Sequence, residues 1–269
     1  MFARFFDRHE FEPVEANLRE TLKFFSLAND KGAVVETGDL LLISSGINYG
    51  VFNTALLKNR VDSEDRLQTS ISEAHDFFGS RQERWSFWAC HDLLGPPVLR
   101  RLRRVMESRR LRFLSEPPGM CAGYLLPAKR PLPPLEVRPV LTPRDRLAFA
   151  GILSTTFDLP YPICVDIYAL ERSWSCGYRG WVGWVNGEPV VSTACVVAAD
   201  AIGVYSVGTM PNWRRRGYAE QLMRTVLHQL ALETGIKQII LQSTSEGFRV
   251  YQRMGFRRVT QFSIFLTEP

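Results

Sequence analysis

The chain has 269 residues, of which 45% are hydrophobic, 12% aromatic and 23% charged, a globular composition that excludes disorder, a collagen-like repeat and a coiled coil. That length fits one large domain or two of ordinary size. The net charge of +5 lies wholly in residues 127–269, because residues 1–126 carry 17 basic and 17 acidic side chains, so the second half suits an anionic ligand or a solvated basic surface.

In chain order, Met1–Glu10 meets charge too early for the apolar core of a signal peptide, and no run of eighteen apolar residues follows. A cytoplasmic protein without a membrane partner is expected. A helix is predicted at Val14–Asn29, strands at Ala33–Glu36 and Leu40–Ser44, an extended segment at Asn48–Thr54 and a helix at Ser63–Phe78. Then come a strand at Arg84–Cys90, a helix at Pro96–Arg109 and a strand near Met120–Leu126. Seven arginines between Arg100 and Arg112 invite a nucleic-acid reading. Glu107, Glu116 and the core stripe Val98, Leu102, Val105 and Met106 favour a solvated helix, so no nucleic acid is expected. The alternating Trp85–Trp88 reads as core or as a binding wall.

Leu126–Leu135 holds four prolines and reads as a stiff extended linker. It sets the expected domains at 1–126 and 135–269, joined by 127–134. Beyond it, Leu135–Val140 reads as a strand, and Thr142-Pro143 opens a helix through Phe157. A second helix spans Pro162–Trp174. Strands at Gly180–Val185, Pro189–Ala199 and Ala201–Thr209 are separated by the turns Asn186-Gly187 and Ala199-Asp200. A helix at Gly217–Thr234 ends at Gly235, and a strand at Lys237–Gln242 and a helix at Ser245–Met254 follow. Arg257–Thr260 and Phe262–Thr267 close the chain as a strand pair. The fold class is α+β, with a mixed, mostly antiparallel sheet flanked by helices. A similar element order in the first half suggests a duplicated fold.

The five cysteines (Cys90, Cys121, Cys164, Cys176, Cys195) and four histidines (His9, His75, His91, His228) are scattered, so neither a disulfide framework nor a metal is expected. The informative segment is Val207–Met223. It passes from a strand to a helix through Arg214, Arg215, Arg216, Gly217, Tyr218 and Ala219. Gly217 and Ala219 lack bulk, so the backbone can approach a ligand closely. The free N–H groups and dipole of the helix start, beside three arginines, suit a pyrophosphate.

Arg214-Arg-Arg-Gly217-Tyr-Ala219, with Pro211 before it, resembles the acetyl-CoA-binding motif of the GNAT superfamily of N-acetyltransferases, Gln/Arg-x-x-Gly-x-Gly/Ala. Leu241–Phe256, with Tyr251-x-x-x-Gly255-Phe256, resembles the family's later strand–helix–turn. The two motifs stand in the family's order, and the resemblance covers residues 135–269. It implies acetyl-CoA as co-substrate, with no metal, and a primary amine that attacks the thioester directly, in a chain acting as a monomer or homodimer. Val207, Gly208 and Thr209 would pair with the pantetheine arm, and Arg214 through Glu220 would hold the pyrophosphate. Tyr251 would be the general acid for the departing thiolate. Thr244 stands where many members have asparagine and would offer a hydroxyl to the cofactor. The family's base varies; Glu246, Asp158, Asp166 and Glu171 are the acidic candidates, with an ordered water as the other route, and His228 reads as a helix-edge residue. The alternative is an acyl-CoA sensor without turnover. In the first half the matching turn, Leu57–Glu64, has no glycine and carries acids, so the paired halves resemble tandem GNAT proteins with only the C-terminal copy competent.

Overall fold

The protein is described by a computed structural model covering residues 10–175 and 177–268. The readings made of Met1–His9 and of Cys176 lie outside the described residues. The single helix expected over Val14–Asn29 divides into α1 (Glu12–Leu22) and a 3-10 turn at Lys23–Leu27. Strands β1 (Ala33–Glu36), β2 (Leu40–Ser44) and β3 (Thr54–Leu57) form an antiparallel meander. Asn48–Thr54 is not an extended arm: Tyr49 and Phe52 donate backbone N–H groups within it, to Ile47 and Tyr49, as turns do. Helix α2 (Glu64–Ser80) then carries the chain to β4 (Ser86–Cys90), which runs parallel to β3. A parallel pair needs such a crossover. After α3 (Pro96–Ser108) comes β5 (Leu111–Ser115), a strand that the sequence reading omitted.

Next come β6 (Pro118–Ala122), β7 (Glu136–Pro139), α4 (Pro143–Phe157) and α5 (Tyr161–Tyr168). The helix expected to reach Trp174 stops at Tyr168, and a 3-10 turn fills Glu171–Ser175. Strands β8 (Arg179–Val185), β9 (Glu188–Ala198) and β10 (Ala201–Thr209) make two tight hairpins. Their turn residues have positive φ at both central positions, 51° and 81° at Asn186-Gly187 and 51° and 53° at Ala199-Asp200, the type I′ geometry that suits strand twist. Helix α6 (Tyr218–Thr234), β11 (Ile239–Gln242), α7 (Ser245–Met254) and β12 (Arg257–Thr267) complete the chain. The expected closing pair is thus one unbroken strand. Thr142 starts α4 in a full capping box with Asp145.

The chain forms two compact units, and neither is one continuous segment. The first comprises Leu22–Gly119 with the segment that begins at Val259; the second comprises Glu12–Thr21 and Met120–Arg258. These bounds differ from the expected 1–126 and 135–269 at both ends of the chain, and residues 127–134 lie inside the second unit.

In the first unit the strand order is β1-β2-β3-β4-β12, and β5 also pairs with β12. Side chains explain why the chain's last strand belongs here. Phe265 is buried in one core with Trp85, Phe87 and Met106. Thr260 Oγ1 donates to Asp92 Oδ2 at 2.6 Å, and Ser263 Oγ lies 2.8 Å from His91 Nε2. Thr267 N and Trp85 O bond at 3.0 Å. Burial of a phenylalanine of this kind contributes about 2 kcal/mol.

In the second unit the order is β7-β8-β9-β10-β11-β6. Helix α6 packs Leu222, Met223 and Val226 onto Ile202, Val204 and Leu241, while α4 lies against Gly208. Helix α1 is fastened by Asn17, whose Nδ2 lies 3.1, 2.9 and 3.1 Å from the carbonyls of Val196, Ala198 and Ala201 around the β9–β10 turn. Tyr205 Oη donates to Asn17 Oδ1 at 2.7 Å. An alanine at positive φ is uncommon, and this buried amide secures the turn that holds it.

Candidate active site

Strands β10 and β11 pair in parallel only from Ile202↔Ile239 to Val204↔Leu241, although β10 continues to Thr209. Against β9, the register of β10 shifts between Tyr205 and Gly208, so that one residue is extra. Ser206 sits there at φ +52°, a β-bulge in a non-glycine residue. Its hydroxyl is 2.7 Å from Tyr178 Oη, and its carbonyl accepts from Ser192 Oγ at 3.0 Å. A Cβ on Gly208 would lie only 3.0 Å from Thr156 Oγ1, 3.1 Å from Ile152 Cγ2 and 3.2 Å from Ser192 Oγ. Gly208 therefore answers the close approach of α4. Val207, Gly208 and Thr209 lie on the stretch of β10 that has left β11. Thr156 Oγ1, buried beside it, has no hydrogen-bond partner among the described residues.

The turn after β10 begins when Met210 N donates to Val190 O, and a 3-10 turn spans Pro211–Trp213. Arg214 Nε donates to Thr209 O at 3.0 Å. Arg215 adopts φ +61°, and the Arg216 guanidinium stacks over the Trp213 ring at 5.4 Å. All three arginines are exposed. Gly217 is the N-cap of α6 at φ +97°, a conformation that excludes ordinary side chains. It has no side chain with which to cap, so the first-turn amides of Tyr218, Ala219 and Glu220 have no side-chain cap from that position. Tyr218 is buried edge-on to Trp213 and anchors the helix start. The Glu220 carboxylate is held by Arg224 at 2.8 Å, which leaves only its backbone to face a ligand.

Tyr251 projects from α7 with its ring packed on Gly247 and 5.8 Å from Phe256, edge to face. Gly247 is small for that reason, since a Cβ there would stand 2.7 Å from Tyr251 Cε2. Burial pushes the phenol up to about 12, so the hydroxyl keeps its proton at neutral pH. Thr244 caps α7, its hydroxyl oxygen accepting from Gly247 N at 3.2 Å. That hydroxyl is used locally on both sides, since it also hydrogen-bonds the Glu246 carboxylate.

The four acids singled out in the sequence lie at the surface. Asp158, Asp166, Glu171 and Glu246 are exposed, as is His228. Hydrogen bonds from its own backbone and from Ser245 hold the Glu246 carboxyl below its ordinary range. Glu15 of α1 is different: burial raises it to about 7, partly offset by Arg19 at 3.0 Å. Its i,i+4 pairing with Arg19 looks in sequence like an exposed ion pair, and nothing nearby signals burial. The bulge contacts of Tyr178 and Ser192 were equally silent, because Ser206 stands where a glycine would have marked the kink.

Residues 177–258 match the family model of the acetyltransferase (GNAT) domain. A GCN5-related N-acetyltransferase from Kribbella flavida superposes with a TM-score of 0.68 at 18% identity, covering 94% of this chain and 96% of that one. A putative acetyltransferase of the GNAT family from Novosphingobium aromaticivorans gives 0.54 at 16% identity, covering 94% and 97%. A GCN5-related N-acetyltransferase from Sphaerobacter thermophilus gives 0.53 at 16%, covering 87% and 82%. The comparison with curated proteins found no match. The fold is that of GNAT proteins, a mixed sheet flanked by helices. Gly217 and Tyr251 both fall within the stretch that the family model matches.

Proposed function

We propose that the protein is an acetyl-CoA-dependent N-acetyltransferase that moves an acetyl group to a primary amine. The observation that carries this reading is the uncapped start of α6 behind Arg214–Arg216, placed where β10 parts from β11. The amides of Tyr218, Ala219 and Glu220 would bond the pyrophosphate, with the helix dipole and three guanidinium groups adding charge. Val207, Gly208 and Thr209 would offer backbone groups to the pantetheine arm and hold the thioester carbonyl for attack. Thr244 would turn its O–H from the Glu246 carboxylate to the cofactor. Thr156 Oγ1 adds a free donor beside Gly208.

Tyr251 would give its proton to the departing thiolate as the amine attacks. A phenol raised by burial is a reluctant acid, but the same dry surroundings penalise the thiolate and raise its proton affinity. We also propose that the first unit is a second copy of the same architecture without the anion loop, so that the chain is a tandem protein. CoA release should be measured with acetyl-CoA over a panel of amines, using wild type and Tyr251→Phe. Binding of acetyl-CoA with no turnover on any amine favours an acyl-CoA-binding module. Absence of thermal stabilisation by acetyl-CoA removes both readings.

A further inference from the structure

The proline-rich segment that the sequence presents as a linker is fastened inside the second unit. At one end Leu126 N donates to Met254 O at 2.9 Å, and Leu126 Cγ lies 3.1 Å from where a Gly255 Cβ would stand. At the other end the Leu135 methyls crowd Gly183, within 2.9 Å of the Cβ position there. Between these anchors the segment crosses the α6 loop. A Cβ on Gly217 would meet Pro133 Cδ at 3.2 Å, Leu132 Cδ2 at 3.5 Å and Arg130 Nη2 at 3.6 Å. The Arg130 guanidinium also reaches Arg215 O at 3.5 Å, the long end of hydrogen bonding.

This brings a fourth guanidinium to a turn that already holds Arg214, Arg215 and Arg216. Among the described residues Arg214 feels the Glu246 carboxylate without touching it, no carboxylate lies within ion-pair distance of any of the four, and the nearby Glu220 is neutralised by Arg224. Gathering like charges at one helix start is unfavourable unless an anion is shared between them. Proline-fixed φ angles at Pro131, Pro133 and Pro134 stiffen the strap and reduce the entropy lost when it presents one side chain.

We propose that Arg130 is a phosphate ligand of this site, reaching acetyl-CoA from the strap side while the α6 amides hold it from the helix side. The inference rests on the acetyl-CoA reading above. Arg130 binds rather than reacts, so its removal is read in the affinity for acetyl-CoA.

Acetyl-CoA affinity should be measured by calorimetry on the full chain for wild type, Arg130→Gln, Arg130→Lys and Lys129→Gln, with unfolding temperatures recorded without ligand. We expect about tenfold weaker binding in R130Q, partial recovery in R130K and near-wild-type affinity in K129Q, since one charge-assisted contact is worth about a factor of ten. R130Q within twofold of wild type overturns the assignment and leaves the α6 site standing. Equal losses in R130Q and K129Q overturn it in favour of diffuse charge. Wild type that binds no acetyl-CoA removes the site itself, a distinct result. A lowered unfolding temperature in R130Q with unchanged affinity makes Arg130 a structural strap residue and also overturns the proposal.

Discussion

Helices α2 and α6 occupy the same step in the two units, each joining a pair of parallel strands, β3 to β4 and β10 to β11. Their first turns differ in almost every respect. Ser63 caps α2 by accepting from Arg66 N at 3.3 Å, and Glu64 and Asp65 follow in the first turn. Gly217 starts α6 without a side chain, at φ +97°, after three arginines. One helix satisfies its own amides and offsets its dipole with its own carboxylates. The other has no side-chain cap, and its first-turn acid, Glu220, is turned to Arg224. The same connection is thus closed by its own side chains in one unit and left open in the other, as the proposed acetyl-CoA site requires.

The strongest test reverses that difference at α6. Gly217→Glu adds a Cβ at positive φ, presses it on Pro133 and sets a carboxylate where the anion would lie. Acetyl-CoA affinity should fall by more than about a hundredfold by calorimetry, from lost amide contacts and like-charge repulsion. Retained affinity would separate the α6 loop from cofactor binding. Tyr251→Phe should leave acetyl-CoA affinity near wild type while kcat drops on the order of a hundredfold, the usual scale for a lost general acid. Because burial raises this phenol to about 12, wild-type kcat should show no loss of the acid up to about pH 10. A fall in kcat near pH 8 that Tyr251→Phe abolishes would contradict the placement of the proton.

How much of this contrast was legible in sequence depends on whether its cause was local. The type I′ turns at Asn186-Gly187 and Ala199-Asp200, the cap at Thr142 and the helix Ser245–Met254 follow from adjacent residues, and they were found there. The sequence reads Gly217 as part of a ligand loop, and the structure gives a reason for the glycine that does not depend on a ligand, since Pro133 occupies the space where a side chain would go. Features set by partners far along the chain were hidden. The bulge at Ser206 depends on Tyr178 and Ser192, and the place of α1 depends on Asn17 meeting carbonyls about 180 residues away. The last strand joins the first unit through Phe265, Thr260 and Ser263, and an alternating pattern cannot say which sheet a strand enters. β5 was missed because Leu111-Arg-Phe-Leu-Ser115 places two apolar residues side by side at Phe113 and Leu114 and so gives no clean alternation.

Glu15 sharpens the comparison by showing strain of another kind in the second unit. Burial raises its carboxyl from 4.5 to about 7, so the folded chain binds this proton more tightly than the unfolded chain does. Its contribution to stability is therefore full below about pH 4.5 and is lost as pH rises through 7, up to about 3 kcal/mol across that window. Glu15→Gln should flatten the pH dependence of unfolding free energy and be more stable than wild type at pH 8. An unchanged slope between pH 5 and pH 8 in denaturant titrations would assign the dependence to other groups.

The smallest effect is expected at the matching position of the first unit. Ser63→Ala removes the α2 cap and leaves the Arg66 amide without its side-chain acceptor. A lost N-cap costs about 1 kcal/mol, which for a unit of this size lowers the midpoint by several degrees. Acetyl-CoA affinity should not change, because α2 carries its own acids and offers no site. That pairing of outcomes is the point of the experiment: Gly217→Glu should change binding, and Ser63→Ala should change stability alone. If Ser63→Ala also weakened acetyl-CoA binding more than twofold at a temperature where the protein stays folded, the start of α2 could not be treated as purely structural, and the division of labour between the two helices would have to be abandoned.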